Sequence, residues 1–140
     1  MSKPPLWFTL VCAVAVLWNA AGLWAVVSDL RLSATDIGRL SEAQQTMYAA
    51  RPFWSVAASV LAVAGGTLGS VGLLMRQGWS TIVLAASVLG VVLQDASLWL
   101  MTRGSPSTNT TAIVLQTVVF LLACGLLRLA YQAHRRGWLH

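Results

Sequence analysis

Charge is what this chain has least of. Only 9% of its 140 residues are charged, four of them acids against nine lysines and arginines. The two histidines, His134 and His140, stand near the last residue, and the two cysteines, Cys12 and Cys124, lie alone in apolar surroundings. Nothing in the sequence assembles a serine, histidine and carboxylate set, an HExxH or a CxxC. Hydrolytic, zinc-protease and disulfide-exchange chemistries therefore lack their groups. The chain is expected to be non-catalytic, with no metal and no cofactor, and its cysteines are read as small hydrophobes. The net charge of +5 is scattered rather than gathered into a patch, so nucleic acid is not an expected partner.

What the chain has instead is apolar length. Hydrophobic residues make up 57% and the mean hydropathy is +0.72. Four charge-free runs, 4–28, 52–75, 77–94 and 104–127, cover 91 of the 140 positions. Each is long enough, at about 1.5 Å per helical residue, to cross or nearly cross about 30 Å of hydrocarbon. A soluble domain of this size could not hide so much apolar surface. The expected fold is therefore all-α: a single polytopic membrane domain over 1–140, a four-helix bundle with spans near 5–27, 52–75, 79–101 and 110–131. The first run resembles a secretory signal, but its apolar stretch from Leu6 to Val27 exceeds the roughly 7–15 residues of a cleaved one. It is expected to stay as the first span.

The loop 28–51 is the one sizeable polar insertion. Within it Ile37, Leu40, Met47 and Tyr48 recur at helical spacing behind a start signal at Ser33 and Asp36, which predicts one short external amphipathic helix. Arg76, Gln77 and Gly78 make a tight turn that forces the second and third spans to be antiparallel neighbours. Thr102–Asn109 reads as an external turn, and 132–140 as a basic tail. Lys3, Arg76, Arg128, Arg135 and Arg136 would share one side with no acid, while Asp29, Asp36 and Glu42 fall on the other. The basic bias predicts both termini in the cytoplasm of a bacterial inner membrane, with anionic headgroups as partners of the basic rim.

Two features stand out inside the spans. In the second, Ala58, Ala62, Gly66 and Ser70 repeat every fourth position, and Gly65, Gly69 and Gly72 add a second small-residue line. Lipid gives helices little hydrophobic drive to associate, so close approach must come from missing side chains, and this span should be the most tightly packed. In the third span, Asp95 is the only acid in any membrane run, roughly 9 Å from the outer end. Gln116 falls in the same layer, Asn19 a little deeper, Gln94 precedes Asp95, and Ser55 and Ser59 face from the second span. Two readings stand for this layer: a ligand site of Asp95, Gln94, Gln116, Asn19 and Ser59, or a structural role, either as an interhelical hydrogen-bond network or with Asp95 reaching water and pairing with Arg103 or Arg51. Ser87 is expected to bond its own helix backbone.

The pieces LWNAAG at 17–22, MYAARPFW at 47–54, AVAGGTLGS at 62–70 and LLMRQGW at 73–79 give the chain a resemblance to a widespread family of small four-span bacterial inner-membrane proteins often labelled "sugar transporter". The resemblance puts Asn19, Tyr48, Pro52, Trp54, Gly65, Gly66, Gly69, Arg76 and Trp79 at family motif positions. Many members carry an acid soon after the LWN motif, where this chain has Leu23 and Trp24.

The functional expectation is binding or transport of a small polar solute or cation near Asp95, in a homo-oligomer associated through the second span. The alternative is a non-catalytic accessory subunit of a larger membrane complex.

Overall fold

The computed structural model describes residues 2–103 and 110–140, so most of the turn expected at 102–109 lies outside the described residues. Every element is helical: α1 (Leu6–Leu30), α2 (Ala34–Gly38), α3 (Glu42–Ala50), α4 (Phe53–Leu74), α5 (Ser80–Thr102) and α6 (Thr110–Arg135). Helices α1, α4, α5 and α6 are long and apolar enough to cross a membrane. Two of them start where the backbone needs no donor: Pro5 and Pro52 stand in extended conformation immediately before α1 and α4.

The insertion between α1 and α4 holds two short helices rather than the single one expected. Each has its own capping box. Ser33 Oγ accepts from the Asp36 N–H at 3.1 Å while the Asp36 carboxylate accepts from the Ser33 N–H, which holds that carboxyl below the usual range. Ser41 and Gln44 repeat the arrangement and open α3. The second start signal divides what the apolar spacing alone reads as one helix.

Helices α4 and α5 form the centre, α1 packs on α4, and α6 packs mainly on α5. Helix α4 buries Ser55, Ala58, Ala62, Gly65, Gly66, Gly69, Ser70, Gly72 and Leu73, the small-residue lines of the sequence. At Gly90 on α5 the approach is to backbone, an added Cβ standing 2.7 Å from the Ala62 nitrogen and 2.9 Å from the Ala58 oxygen. One ridge down, Gly65 faces Ser87, and Ser87 Oγ donates to the Ala62 carbonyl at 2.6 Å. Ser87 thus bonds the neighbouring helix, not its own, because the missing side chain at Gly65 brings the α4 backbone within reach. Gly69 meets Leu84, and Gly72 lies under the Trp79 ring.

The end carrying residues 2–5 and 136–140, called here the terminal end, is closed. Phe8, Cys12, Leu73, Leu84, Ala130, Ala133, Trp138 and Leu139 form one buried cluster, with Phe8 and Trp138 edge to face at 5.3 Å. Cys12 and Cys124 are both free thiols, Cys12 buried in this cluster.

Two helix ends meet there. After α4, Arg76 adopts the left-handed conformation (φ 62°) while its N–H donates to Leu73 and that of Gln77 to Gly72. After α6, Gly137 (φ 67°) does the same, and Trp138 N–H donates to Ala133. Residues 136–140 therefore fold back as a strap. His140 N–H donates to the Arg76 carbonyl at 2.7 Å, Gly78 N–H to the His140 carbonyl at 2.8 Å, and Arg76 Nε to the Trp138 carbonyl at 2.8 Å.

Candidate functional site

The terminal end is closed, whereas the other, the loop end, is open. At the closed end Phe8 and Cys12 of α1 and Ala130 and Ala133 of α6 belong to one buried cluster, and toward the loop end α1 and α6 line a cleft together with α4 and α5. An outer chamber of about 540 Å³ reaches from Met47 and Tyr48 of α3 down to Ser59, Gln94 and Gln116. An inner chamber of about 350 Å³ continues from Gln94 and Gln116 past Asn19, Gly66 and Ser87 to Leu126. The two share Ala25, Val26, Gln94, Leu115 and Gln116, so they form one slot.

At the mouth, Asp29 near the end of α1 is gripped from the insertion. Arg51 Nη1 donates to Asp29 Oδ2 at 2.8 Å, the Tyr48 hydroxyl donates to Oδ1, and the Arg51 guanidinium lies 4.6 Å from the Tyr48 ring centre. The carboxylate beside it pushes the Tyr48 phenol above its ordinary value and strengthens the protonated form of Arg51. This ion pair is half-buried and fixes α3 over the mouth. Residues 29, 48 and 51 were not singled out together from the sequence: the pair Tyr48 and Arg51 has helical spacing, but nothing in the chain couples it to Asp29 across the insertion.

The five candidate ligand residues are distributed as follows. Gln94 and Gln116 line both chambers, Asn19 the inner one and Ser59 the outer one. Asn19 Nδ2 donates to Ser70 Oγ at 3.2 Å and to the Ala15 carbonyl at 2.9 Å, bracing α1 on α4 beside Gly66, where a Cβ would collide with Asn19 Oδ1. Ser59 Oγ donates to the Ser55 carbonyl one turn back. The Gln94 carboxamide makes no hydrogen bond among the described residues. Asp95 does not line the slot. It lines an adjoining hollow between α5 and α6 with Trp99, Arg103, Ile113, Gln116 and Thr117, where its Oδ1 is buried without a partner among the described residues. The 100° step between consecutive helical residues is what turns Gln94 into the slot and Asp95 away from it. Neither expected cation pairs with Asp95: Arg51 is committed to Asp29, and Arg103 lies over the Trp99 ring at 5.2 Å.

No family model, curated protein or solved structure matches this chain. Its function must therefore be argued from the slot itself. Among the described residues no three metal-ligating side chains come together.

Proposed function

We propose that the protein is a non-catalytic, multi-pass inner-membrane protein that binds a small polar solute in the slot between α1 and α6, as a carrier or receptor. Both termini would be cytoplasmic, which puts Lys3, Arg76, Arg128, Arg135 and Arg136 at the anionic inner surface and the mouth outside. The observation that supports the reading is Gln94. Its carboxamide is partly exposed, makes no hydrogen bond among the described residues and borders a cleft large enough for a ligand, with Gln116 beside it.

The test is melting of the purified protein across a panel of polyols, amino acids and monovalent cations, with Gln94→Leu and Asp95→Asn as variants. The slot reading expects a ligand shift that Gln94→Leu abolishes and Asp95→Asn retains. A cation shift lost only in Asp95→Asn would place the site in the hollow between α5 and α6 instead.

The alternative, an accessory subunit in a larger membrane complex, is favoured by α6. It buries only Ala130 and Ala133, and nothing lies within 4 Å of where a Gly125 Cβ would be. That reading expects a partner to co-purify in mild detergent and no member of the panel to shift the melt.

A further inference from the structure

We propose that the ligand of the slot is an amphiphile with an uncharged hydrogen-bonding head and an apolar tail, reaching its site sideways through the gap between α1 and α6. The inference rests on the slot of the reading above as the ligand site and replaces its small polar solute with an amphiphile.

The gap is the first observation. On α6 the slot runs from Ala112 to Leu126, about 21 Å of helix. Its rims carry exposed side chains, Trp18, Ala21 and Ala25 on α1 and Leu115 and Leu122 on α6. In a bilayer those rims face acyl chains, so the slot is continuous with hydrocarbon as well as with water at the mouth.

Chemistry is sorted by depth along it. The outer chamber offers Ser59, Gln94 and Gln116 at its base, with the Gln94 amide uncommitted. The inner chamber is walled by Val63, Leu84, Val91, Val119, Leu122 and Leu126. Below the Gln94 and Gln116 level that it shares with the outer chamber, the donors of its polar side chains are spent: Asn19 Nδ2 on Ser70 and Ala15, Ser87 Oγ on Ala62. A wholly polar solute driven below the Gln94 level would lose hydration and find no free donor in exchange, whereas a hydrocarbon tail loses nothing there. The terminal end is blocked by Phe8 and Trp138, so the tail has a floor.

Charge decides the head. No charged side chain lines the inner chamber, and the two at the mouth, Asp29 and Arg51, neutralise each other. An ionic head would sit beside carboxamides with no counter-ion, so a neutral hydroxylated head matches the site.

The test uses monoolein, glycerol and oleate as probes against the full chain in a zwitterionic amine-oxide detergent, read by native mass spectrometry for bound stoichiometry and by melting temperature. The expected result is one saturable monoolein per chain, no glycerol shift, and oleate at least tenfold weaker. Gln94→Leu is expected to weaken monoolein tenfold or more, and Ala25→Phe, which narrows the gap from an exposed position, to do the same with the ligand-free melt unchanged. A glycerol shift equal to that of monoolein would overturn the amphiphile claim and leave the polar-solute reading standing. Monoolein binding that both variants leave intact would mark a general detergent-like effect and overturn the claim, as would equal binding of oleate. No response to any probe, together with no response to the earlier panel, would remove both readings.

Discussion

Replacing Gly90 by alanine is the most direct perturbation of the α4–α5 contact on which the slot is built. The new Cβ would meet the Ala62 nitrogen at 2.7 Å, the Ala58 oxygen at 2.9 Å and the Ala62 Cα at 3.1 Å. All three are backbone atoms inside a helix, so no rotamer change relieves them, and the two helices must separate. Overpacking of this kind costs about 1–3 kcal/mol. Separation also lengthens the Ser87 Oγ to Ala62 carbonyl bond, now 2.6 Å, and an interhelical hydrogen bond in a membrane protein is worth about 0.6 kcal/mol. Against this, alanine gains up to about 1 kcal/mol of helix propensity over glycine. Gly125→Ala carries the same propensity gain without a clash, since nothing lies within 4 Å of its added Cβ. The difference between the two variants cancels that gain and should be about 2–4 kcal/mol, with Gly90→Ala the less stable. Reversible unfolding of both in mixed dodecyl maltoside and dodecyl sulfate micelles measures it. Equal stability of the two variants would refute the backbone-to-backbone packing of α4 on α5.

The strap at the terminal end makes a different prediction from its backbone. Arg76 holds a left-handed conformation that costs a non-glycine residue about 1 kcal/mol, offset by its Nε bond to the Trp138 carbonyl. Arg76→Gly should therefore melt closer to wild type than Arg76→Ala, which loses the bond and keeps the strain; the reverse order in the same micelle assay would contradict this account. At the mouth, the raised Tyr48 pKa means that its grip on Asp29 is fully present below the ordinary value of 10.0 and lost only as pH rises through the higher folded value. Asp29→Asn should bring the Tyr48 phenolate absorbance step to lower pH. A step that does not move would show that the hydroxyl does not contact that carboxylate.

The spans and the small-residue face of α4 were legible because they rest on run length and four-residue spacing, which local sequence carries. The limits of the insertion were less so. Ile37, Leu40, Met47 and Tyr48 fit one helical stripe, and the second capping box at Ser41 and Gln44 outweighs that stripe by satisfying the N-terminal donors of a new helix. The polar layer was legible as a depth and not as a face. Gln94, Gln116, Asn19 and Ser59 border one slot, while Asp95 stands one residue round its helix in another hollow, because side-chain direction depends on how α5 is rotated against α4 and α6. That rotation is set by Gly90 and Ser87 meeting Ala58, Ala62 and Gly65, a long-range fit that no window of sequence contains. The same limit hid the mouth, where Asp29 and Arg51 come together only once the insertion folds back.

Whether the slot opens at the loop end and is sealed at the terminal end is tested most directly by thiol accessibility. Gln94→Cys and Leu73→Cys, each in a Cys12→Ala and Cys124→Ala background, would be exposed in intact cells to a membrane-impermeant methanethiosulfonate reagent. The account predicts rapid labelling of Gln94→Cys from outside, slowed by a bulky Ala25→Phe, and no labelling at Leu73, which lies in the closed cluster. Protection of Gln94→Cys, or labelling of both positions alike, would contradict it.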